Sequence, residues 1–161
     1  MNHKAGVIVI RVLENDTLLL TQRSKSLSNH PGEVCFPGGH WQQDDVDLYQ
    51  TALRELHEEV GIASSRVQLL KMLKSEITLT GYHIQPWLAT IDQLHPYIIN
   101  SEEVDSVFCA PMQEVCDPAN YEEIIVQRKG IKIKTWRFIS DDYFVWGATA
   151  RIMRQLIDCS E

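Results

Sequence analysis

Short apolar runs separated by turn residues recur along the chain and predict a protein built mainly of strands. The first run, A-G-V-I-V-I-R-V-L, is followed by the turn E-N-D and by a second apolar run. Alternating apolar and polar positions on both sides of Gly130 predict a β-hairpin. The first two runs span 5–13 and 17–23, and further strands are expected at 67–73, 82–91 and 104–110.

One mid-chain segment follows the helical period instead, and a helix is predicted over 47–60. Its Leu53, Leu56 and Val60 fall on one face, which forms the apolar stripe that packs a helix onto a core. Gly61 is well placed to end the helix in a left-handed conformation. The charged residues of this helix lie on a separate face.

A second amphipathic helix is predicted near the end of the chain, over 146–158, and a helical turn at 112–116. Strands dominate the pattern, with one helix in the middle and one at the end. This arrangement favours the α/β class, with a mixed β-sheet between helical layers. The length of 161 residues is enough for one self-sufficient core, so we expect a single domain over 1–161.

Net charge, hydropathy and cysteine content limit the binding partners and the location that the sequence allows. The net charge of −7 argues against nucleic acid, because there is no basic excess to neutralise phosphates. A small anionic substrate stays possible if a metal supplies positive charge. No apolar stretch approaches the roughly 20 residues that cross a bilayer, so no membrane partner is expected. Four scattered cysteines disfavour disulfides and zinc, which indicates a cytoplasmic location.

Three glutamates crowd the polar face of the first predicted helix. With Glu55 at 0°, Glu58 falls near about 300° and Glu59 near about 40°, so the three share an arc roughly 100° wide. A solvated acidic face is one explanation, since like charges at this spacing cost only about 0.2–0.5 kcal/mol per pair. The other explanation is a site for Mg²⁺ or Mn²⁺, which prefer carboxylate oxygens.

The segment before this helix, C-F-P-G-G-H-W-Q-Q-D-D-V-D, favours the metal site. Gly38 and Gly39 let the backbone approach a ligand closely or take a positive φ. Asp44, Asp45 and Asp47 add acidic groups at the start of the helix, where they also complement the helix dipole. A Gly-Gly turn that leads into a helix with three clustered carboxylates is less common than either feature alone.

These residues together resemble the Nudix box, a glycine followed by an acidic residue and then R-E-U-x-E-E-x-G-U, where U is aliphatic. The second half matches in full from Arg54 to Ile62. The first half has one residue more than the standard spacing between Gly39 and Arg54. It also lacks the usual middle glutamate, for which Asp45 is the nearest acidic substitute.

The preceding segment, L-L-T-Q-R-S-K-S-L-S-N-H-P-G-E-V-C-F-P-G-G, resembles the signature of the coenzyme A (CoA) pyrophosphatase branch of that family. The lengthened loop before the helix is also usual in that branch. Ser28 departs from the signature, because it stands where the pattern has its second arginine. If that arginine holds a CoA phosphate, this chain must use another cation, such as Lys25, or differ in preference.

The resemblance implies a Nudix α/β/α sandwich that cleaves a nucleoside diphosphate derivative with Mg²⁺ or Mn²⁺. It implies Glu55 and Glu59 as metal ligands, Glu58 as a third ligand or the base, and Arg54 as the residue that orients a neighbouring glutamate. The alternative for Arg54 is an ordinary i,i+4 ion pair. Glu103 is a further candidate ligand or base from a distant loop, its alternative being a solvated loop acid.

The resemblance also indicates the substrate side of the site, in which Arg23, Gly38, Gly39 and Phe36 are the candidates. Arg23 binds a phosphate or merely ends a strand, and Phe36 shapes the pocket floor or belongs to the core. The implied substrate is CoA or acyl-CoA. Alternatives are ADP-ribose, a dinucleoside polyphosphate or a nucleoside triphosphate, and a binding module without catalysis. The oligomeric state stays open, with a homodimer as one option.

Overall fold

A mixed sheet with both faces covered forms the centre of the structure, a computed structural model that describes residues 3–159. Within the sheet, β1 runs parallel to β7, whereas the other pairs are antiparallel. The main path is β3-β2-β1-β7-β5, with β4, β6 and β8 pairing to β1, β7 and β2. Its strands are β1 (Lys4–Val12), β2 (Thr17–Arg23), β3 (Val34–Cys35), β4 (Gly38–His40), β5 (Gln68–Met72), β6 (Glu76–Ile77), β7 (His83–Ile91) and β8 (Val104–Pro111).

A second, three-stranded sheet and three helices complete the described residues. This sheet has the order β11-β10-β9, and its strands are β9 (Tyr121–Arg128), β10 (Ile131–Phe138) and β11 (Val145–Trp146). The helices are α1 (Leu48–Val60), α2 (Met112–Val115) and α3 (Ala148–Gln155), with 3-10 turns at Ser64–Arg66, Pro118–Asn120 and Leu156–Cys159. None of the helices within 3–159 has the length and apolar content to cross a membrane.

Strand β1 shows why the sheet lies between two layers. Its Ile8 and Ile10 belong to a core beneath α1, together with Leu56. Its Val9 belongs to the core on the opposite face, together with Met153 of α3. A strand buried on both faces is apolar without strict alternation, which accounts for the continuous run V-I-V-I. The predicted α/β class with a mixed sheet between helices is therefore confirmed.

Helix α1 has the ends that its sequence predicts. Asp47 precedes it in an extended conformation, and its carboxylate accepts a hydrogen bond of 2.8 Å from the backbone N–H of Gln50. Gly61 follows with φ of 68°, the left-handed conformation expected of a helix end. The closing helix begins later than predicted. Trp146 belongs to β11 and pairs with Arg137 of β10, and Gly147 then takes a positive φ before α3 begins.

The segment Gly38–His40 is a strand rather than the predicted Gly-Gly turn. As β4 it pairs with β1, Gly39 lying opposite Gly6. Neither Gly38 nor Gly39 has a positive φ, so that alternative was wrong. Both positions require glycine because neighbouring atoms approach the backbone closely. These neighbours are the protein's own residues rather than a ligand. A Cβ on Gly38 would meet the carbonyl oxygen of Gly6 and lie 2.7 Å from the Cα of Val7.

Candidate active site

Three carboxylates from two parts of the chain meet beside β4. Glu55 and Glu59 project from successive turns of α1, and Glu103 ends the loop before β8. Each offers one oxygen, and these oxygens lie within 4.8 Å of one another. Glu59 is buried, with 7% of its surface exposed, whereas Glu55 and Glu103 are half-buried. We call these three residues the carboxylate group.

Burial of this much negative charge favours a bound cation. Burial, reinforced by the charges of Glu55 and Glu103, raises the pKa of Glu59 to about 9. Burial also raises the pKa of Glu55, while Arg54 opposes that shift. A set of carboxylate oxygens alone suits a hard divalent cation such as Mg²⁺ or Mn²⁺. The residues present therefore fit such an ion.

Arg54 connects the carboxylate group to the segment before the helix. Its Nη1 donates a hydrogen bond of 3.0 Å to Oε1 of Glu55, and its Nη2 donates one of 3.0 Å to the carbonyl of His40. Its side chain also contacts Glu58, with Nη1 3.3 Å from Oε2. The guanidinium thus holds the Glu55 carboxylate and the end of β4 in one arrangement.

Asp45 fixes Arg54, a role that the sequence reasoning missed. Its two carboxylate oxygens accept hydrogen bonds from Nε (2.9 Å) and Nη2 (3.0 Å) of Arg54. It also accepts from the hydroxyl of Thr51 and from the backbone N–H of Gln42. The hydrogen bond from Arg54 is the main reason that the pKa of Asp45 falls to about 2. Thr51 and Arg54, three residues apart on one helix face, were the available signal.

Glu58 lies outside the carboxylate group. Its side chain is 45% exposed and contacts Arg54. The structure therefore brings together Glu55, Glu59 and Glu103 of the predicted acidic residues, and it directs Glu58 toward solvent.

A cleft of about 450 Å³ opens next to the carboxylate group. Gly39 lines this cleft on one side, and a Cβ added to it would lie 2.5 Å from Oε1 of Glu55. The other walls come from residues 27–30, residues 78–80, the β9–β10 hairpin and the start of α3. A larger cavity of about 680 Å³ lies beside β8 and residues 140–146. None of the three carboxylates lines either cavity, but the smaller cleft adjoins Glu55 through Gly39.

The predicted substrate residues all line the smaller cleft. Gly38 and Gly39 form part of its wall, and Phe36 reaches it while being 3% exposed in the core, so Phe36 belongs to both. The guanidinium of Arg23 is held by the carbonyls of Asn29 (3.0 Å) and His30 (3.2 Å). Arg23 therefore ends β2 and presents a fixed positive charge at the cleft.

Two further arginines line the cleft and were missed from the sequence. Arg151 of α3 donates to Glu76 (3.0 Å) and to the hydroxyl of Thr135 (2.7 Å). The side chain of Arg128, at the end of β9, is exposed and makes no hydrogen bond or ion pair within residues 3–159. Lys25, the substitute cation considered above, is exposed outside the cleft lining. Arg128 and Arg151 lie far along the chain from the Nudix box and belong to no recognisable motif, so the sequence did not reveal them.

Comparison with known proteins identifies the class to which this fold and site belong. Residues 2–138 match the NUDIX domain family, and the chain belongs to that family. The uncharacterized Nudix hydrolase NudL of Escherichia coli O7:K1 is 35% identical over 158 residues, which span 97% of this chain and 82% of NudL. The predicted class of enzyme, a Nudix pyrophosphatase, is thereby confirmed.

Solved structures share the fold at lower identity. A binary complex of C. elegans Ap4A hydrolase matches with a TM-score of 0.58 and 21% identity, covering 68% of this chain and 80% of the other. The protein DR0079 from Deinococcus radiodurans matches with a TM-score of 0.60 and 15% identity, covering 94% and 81%. Nudix hydrolases generally use divalent metal ions, which agrees with the oxygen-only carboxylate group.

Proposed function

We propose that this Nudix protein hydrolyses the diphosphate of CoA or acyl-CoA to 3′,5′-ADP and a 4′-phosphopantetheine moiety, using Mg²⁺ or Mn²⁺. One observation carries the proposal. The segment that resembles the CoA pyrophosphatase signature contributes Arg23, Ser28, Phe36, Gly38 and Gly39 to a cleft that adjoins the carboxylate group. A diphosphate in this cleft would meet the fixed guanidinium of Arg23 and a cation held by the carboxylates.

Each residue then has a defined task. Glu55, Glu59 and Glu103 would hold the divalent cation, which supplies positive charge to the diphosphate and lowers the pKa of an attacking water. Arg54, fixed by Asp45, keeps the Glu55 carboxylate aimed at the ion. Arg23 positions a substrate phosphate. Glu58 and Glu103 are the candidates for the base, Glu58 because it is exposed on the same helix.

The 3′-phosphate of CoA requires a positively charged side chain in the cleft. Ser28 lines the cleft where the signature has its second arginine, and its side chain carries no charge. The side chain of Arg128, across the same cleft, makes no hydrogen bond or ion pair within residues 3–159 and is therefore available to an anion. We propose that Arg128, rather than Lys25, takes the place of the missing arginine.

A substrate panel with Mg²⁺ or Mn²⁺ tests the assignment. Purified protein is incubated with CoA, acetyl-CoA, ADP-ribose, a dinucleoside polyphosphate and a nucleoside triphosphate, and the products are separated by chromatography. We expect the highest kcat/KM with CoA or acyl-CoA, with 3′,5′-ADP among the products. Strong turnover of ADP-ribose with none of CoA would overturn the CoA assignment. Binding of nucleotides without turnover of any of them would indicate a sensor module.

The substitution Ser28→Arg is expected to improve the use of substrates with a 3′-phosphate. Ser28 is exposed at the cleft, so an arginine can be accommodated there. A partly exposed contact between arginine and phosphate contributes up to about 1 kcal/mol, or roughly fivefold in KM. The measurement is the ratio of KM values for CoA and 3′-dephospho-CoA.

Ser65→Arg is the matched control, because it adds the same charge on an exposed turn away from the cleft. We expect this control to leave the ratio of KM values unchanged. Weaker use of CoA by Ser28→Arg than by wild type would contradict a 3′-phosphate at this position.

A further inference from the structure

The loop between β7 and β8, residues 92–103, ends in Glu103. Glu55 and Glu59 are placed by α1, but Glu103 depends on this loop, which contains neither helix nor strand. A carboxylate at the end of an irregular loop needs other contacts to hold it within reach of the helix. Three sets of hydrogen bonds in the structure supply them.

The first set comes from Arg66, in the 3-10 turn that follows α1. Its Nη1 donates to the carbonyl of Pro96 (2.6 Å). Its Nη2 lies within hydrogen-bond distance of three more carbonyls, those of Gln93 (2.7 Å), Leu94 (3.2 Å) and His95 (3.2 Å). The guanidinium therefore contacts four consecutive carbonyls and pairs with no carboxylate within residues 3–159. Its donors shape the loop backbone.

The second set attaches the loop to the end of α1. The N–H of Ile98 donates to the carbonyl of Val60, and the N–H of Asn100 donates to the carbonyl of Glu59, both at 2.9 Å. These carbonyls belong to the last turn of the helix, where they lack partners inside the helix. The loop is thus aligned with Glu59, whose carboxylate belongs to the carboxylate group.

The third set forms the turn that ends in Glu103. The carbonyl of Asn100 accepts from the N–H groups of Glu103 (3.0 Å) and Val104 (2.9 Å), and its side-chain oxygen accepts from Glu102 (3.2 Å). The carbonyl of Glu103 accepts from the N–H of Ser24 at 2.9 Å, which anchors the turn to the end of β2. The position of Glu103 is therefore set through Asn100 by the loop before it.

We propose that Arg66 is a positioning residue for the metal site, acting through loop 92–103 on Glu103. The inference rests on the proposed function, in which Glu103 holds the cation with Glu55 and Glu59. Without Arg66 the loop would sample more conformations, and the cost of ordering Glu103 would fall on metal binding. Removal of groups that hold a metal ligand typically weakens metal affinity by roughly 10–100-fold.

The variant Arg66→Ala tests this inference on the full chain, without substrate. Free Mn²⁺ is followed by electron paramagnetic resonance during a titration, which gives the Kd for Mn²⁺. We expect binding about tenfold weaker than in wild type, at the lower end of that range. In turnover assays the Mn²⁺ concentration at half-maximal rate should rise by a similar factor.

A double-mutant cycle separates positioning from general loosening of the fold. In a Glu103→Ala background, Arg66→Ala should have no further effect on the Kd for Mn²⁺, because the residue that it positions is gone. Arg66→Lys should fall between wild type and Arg66→Ala, since an ammonium reaches fewer of the four carbonyls. Arg154→Ala is the matched control, because it removes an arginine that stacks on Trp136 rather than one that bonds the loop.

Three results would overturn the inference. These are an unchanged Kd for Mn²⁺ in Arg66→Ala, an equal loss in the Glu103→Ala background, or the same loss in Arg154→Ala. If Arg66→Ala does not fold, Arg66→Lys replaces it in the cycle, because it removes only some of the bonds to the four carbonyls. Failure of the proposed metal site has a different signature, which is no Mn²⁺ binding by the wild-type protein. Failure of the CoA assignment appears only in the substrate panel and leaves Mn²⁺ binding unchanged.

Discussion

Glu59→Gln is expected to abolish metal-dependent turnover while the protein stays folded. Glu59 is the most deeply buried member of the carboxylate group, and Glu55 and Glu103 both lie near it. A glutamine keeps the volume but replaces a charged ligand by an amide, which binds a hard cation far more weakly. We expect kcat/KM to fall by at least about 10²–10³-fold, the effect of losing one group that stabilises transition-state charge.

The same substitution should leave the metal-free protein as stable as wild type or more stable. A buried carboxylate beside two others is unfavourable without a cation, and a neutral amide removes that cost. The measurements are turnover with Mn²⁺, the Kd for Mn²⁺ and the thermal midpoint without metal. Glu123→Gln is the control, because Glu123 is an exposed residue of β9 paired with Lys134. Full activity of Glu59→Gln would overturn the assignment of Glu59 as a ligand.

The elements with strong local signals were predictable from the sequence. Asp47 and Gly61 bracket α1, so its bounds differ from the prediction by one residue. The two-residue strands β6 and β11 were missed, because two residues are too few to show the alternation that identifies a strand. Strand β4 was mistaken for a turn, because it forms only through pairing with β1, which lies far away along the chain. Its glycines lack strand propensity, and packing against β1 and α1 determines its conformation.

The carboxylate group shows what helical geometry can and cannot predict. The period correctly separates the acidic face of α1 from the apolar stripe of Leu53, Leu56 and Val60. It does not show which part of the acidic arc is covered by a neighbouring strand. Because β4 packs over Glu55, that edge of the arc is enclosed, while Glu58 remains exposed. The assignment of all these residues to metal binding or catalysis stays a prediction.

Gly38→Ala and Gly39→Ala are expected to fail in different ways, although they are neighbours in the same strand. A Cβ on Gly38 would meet the backbone of β1, including the Cα of Val7 at 2.7 Å. Backbone cannot move aside without separating β4 from β1, so we expect a loss of about 3 kcal/mol in the free energy of unfolding. A Cβ on Gly39 would instead meet the Glu55 side chain, whose Oε1 lies 2.5 Å away.

In Gly39→Ala the Glu55 side chain can rotate, but its bond to Arg54 and its place in the carboxylate group would then be lost. We therefore expect turnover to fall by about 10²-fold, with an unfolding free energy within about 1 kcal/mol of wild type. Urea denaturation and Mn²⁺-dependent turnover, measured on both variants, separate the two effects. Wild-type turnover in Gly39→Ala would mean that the observed position of Glu55 is not required for catalysis, because the added methyl group cannot occupy the same space as its carboxylate.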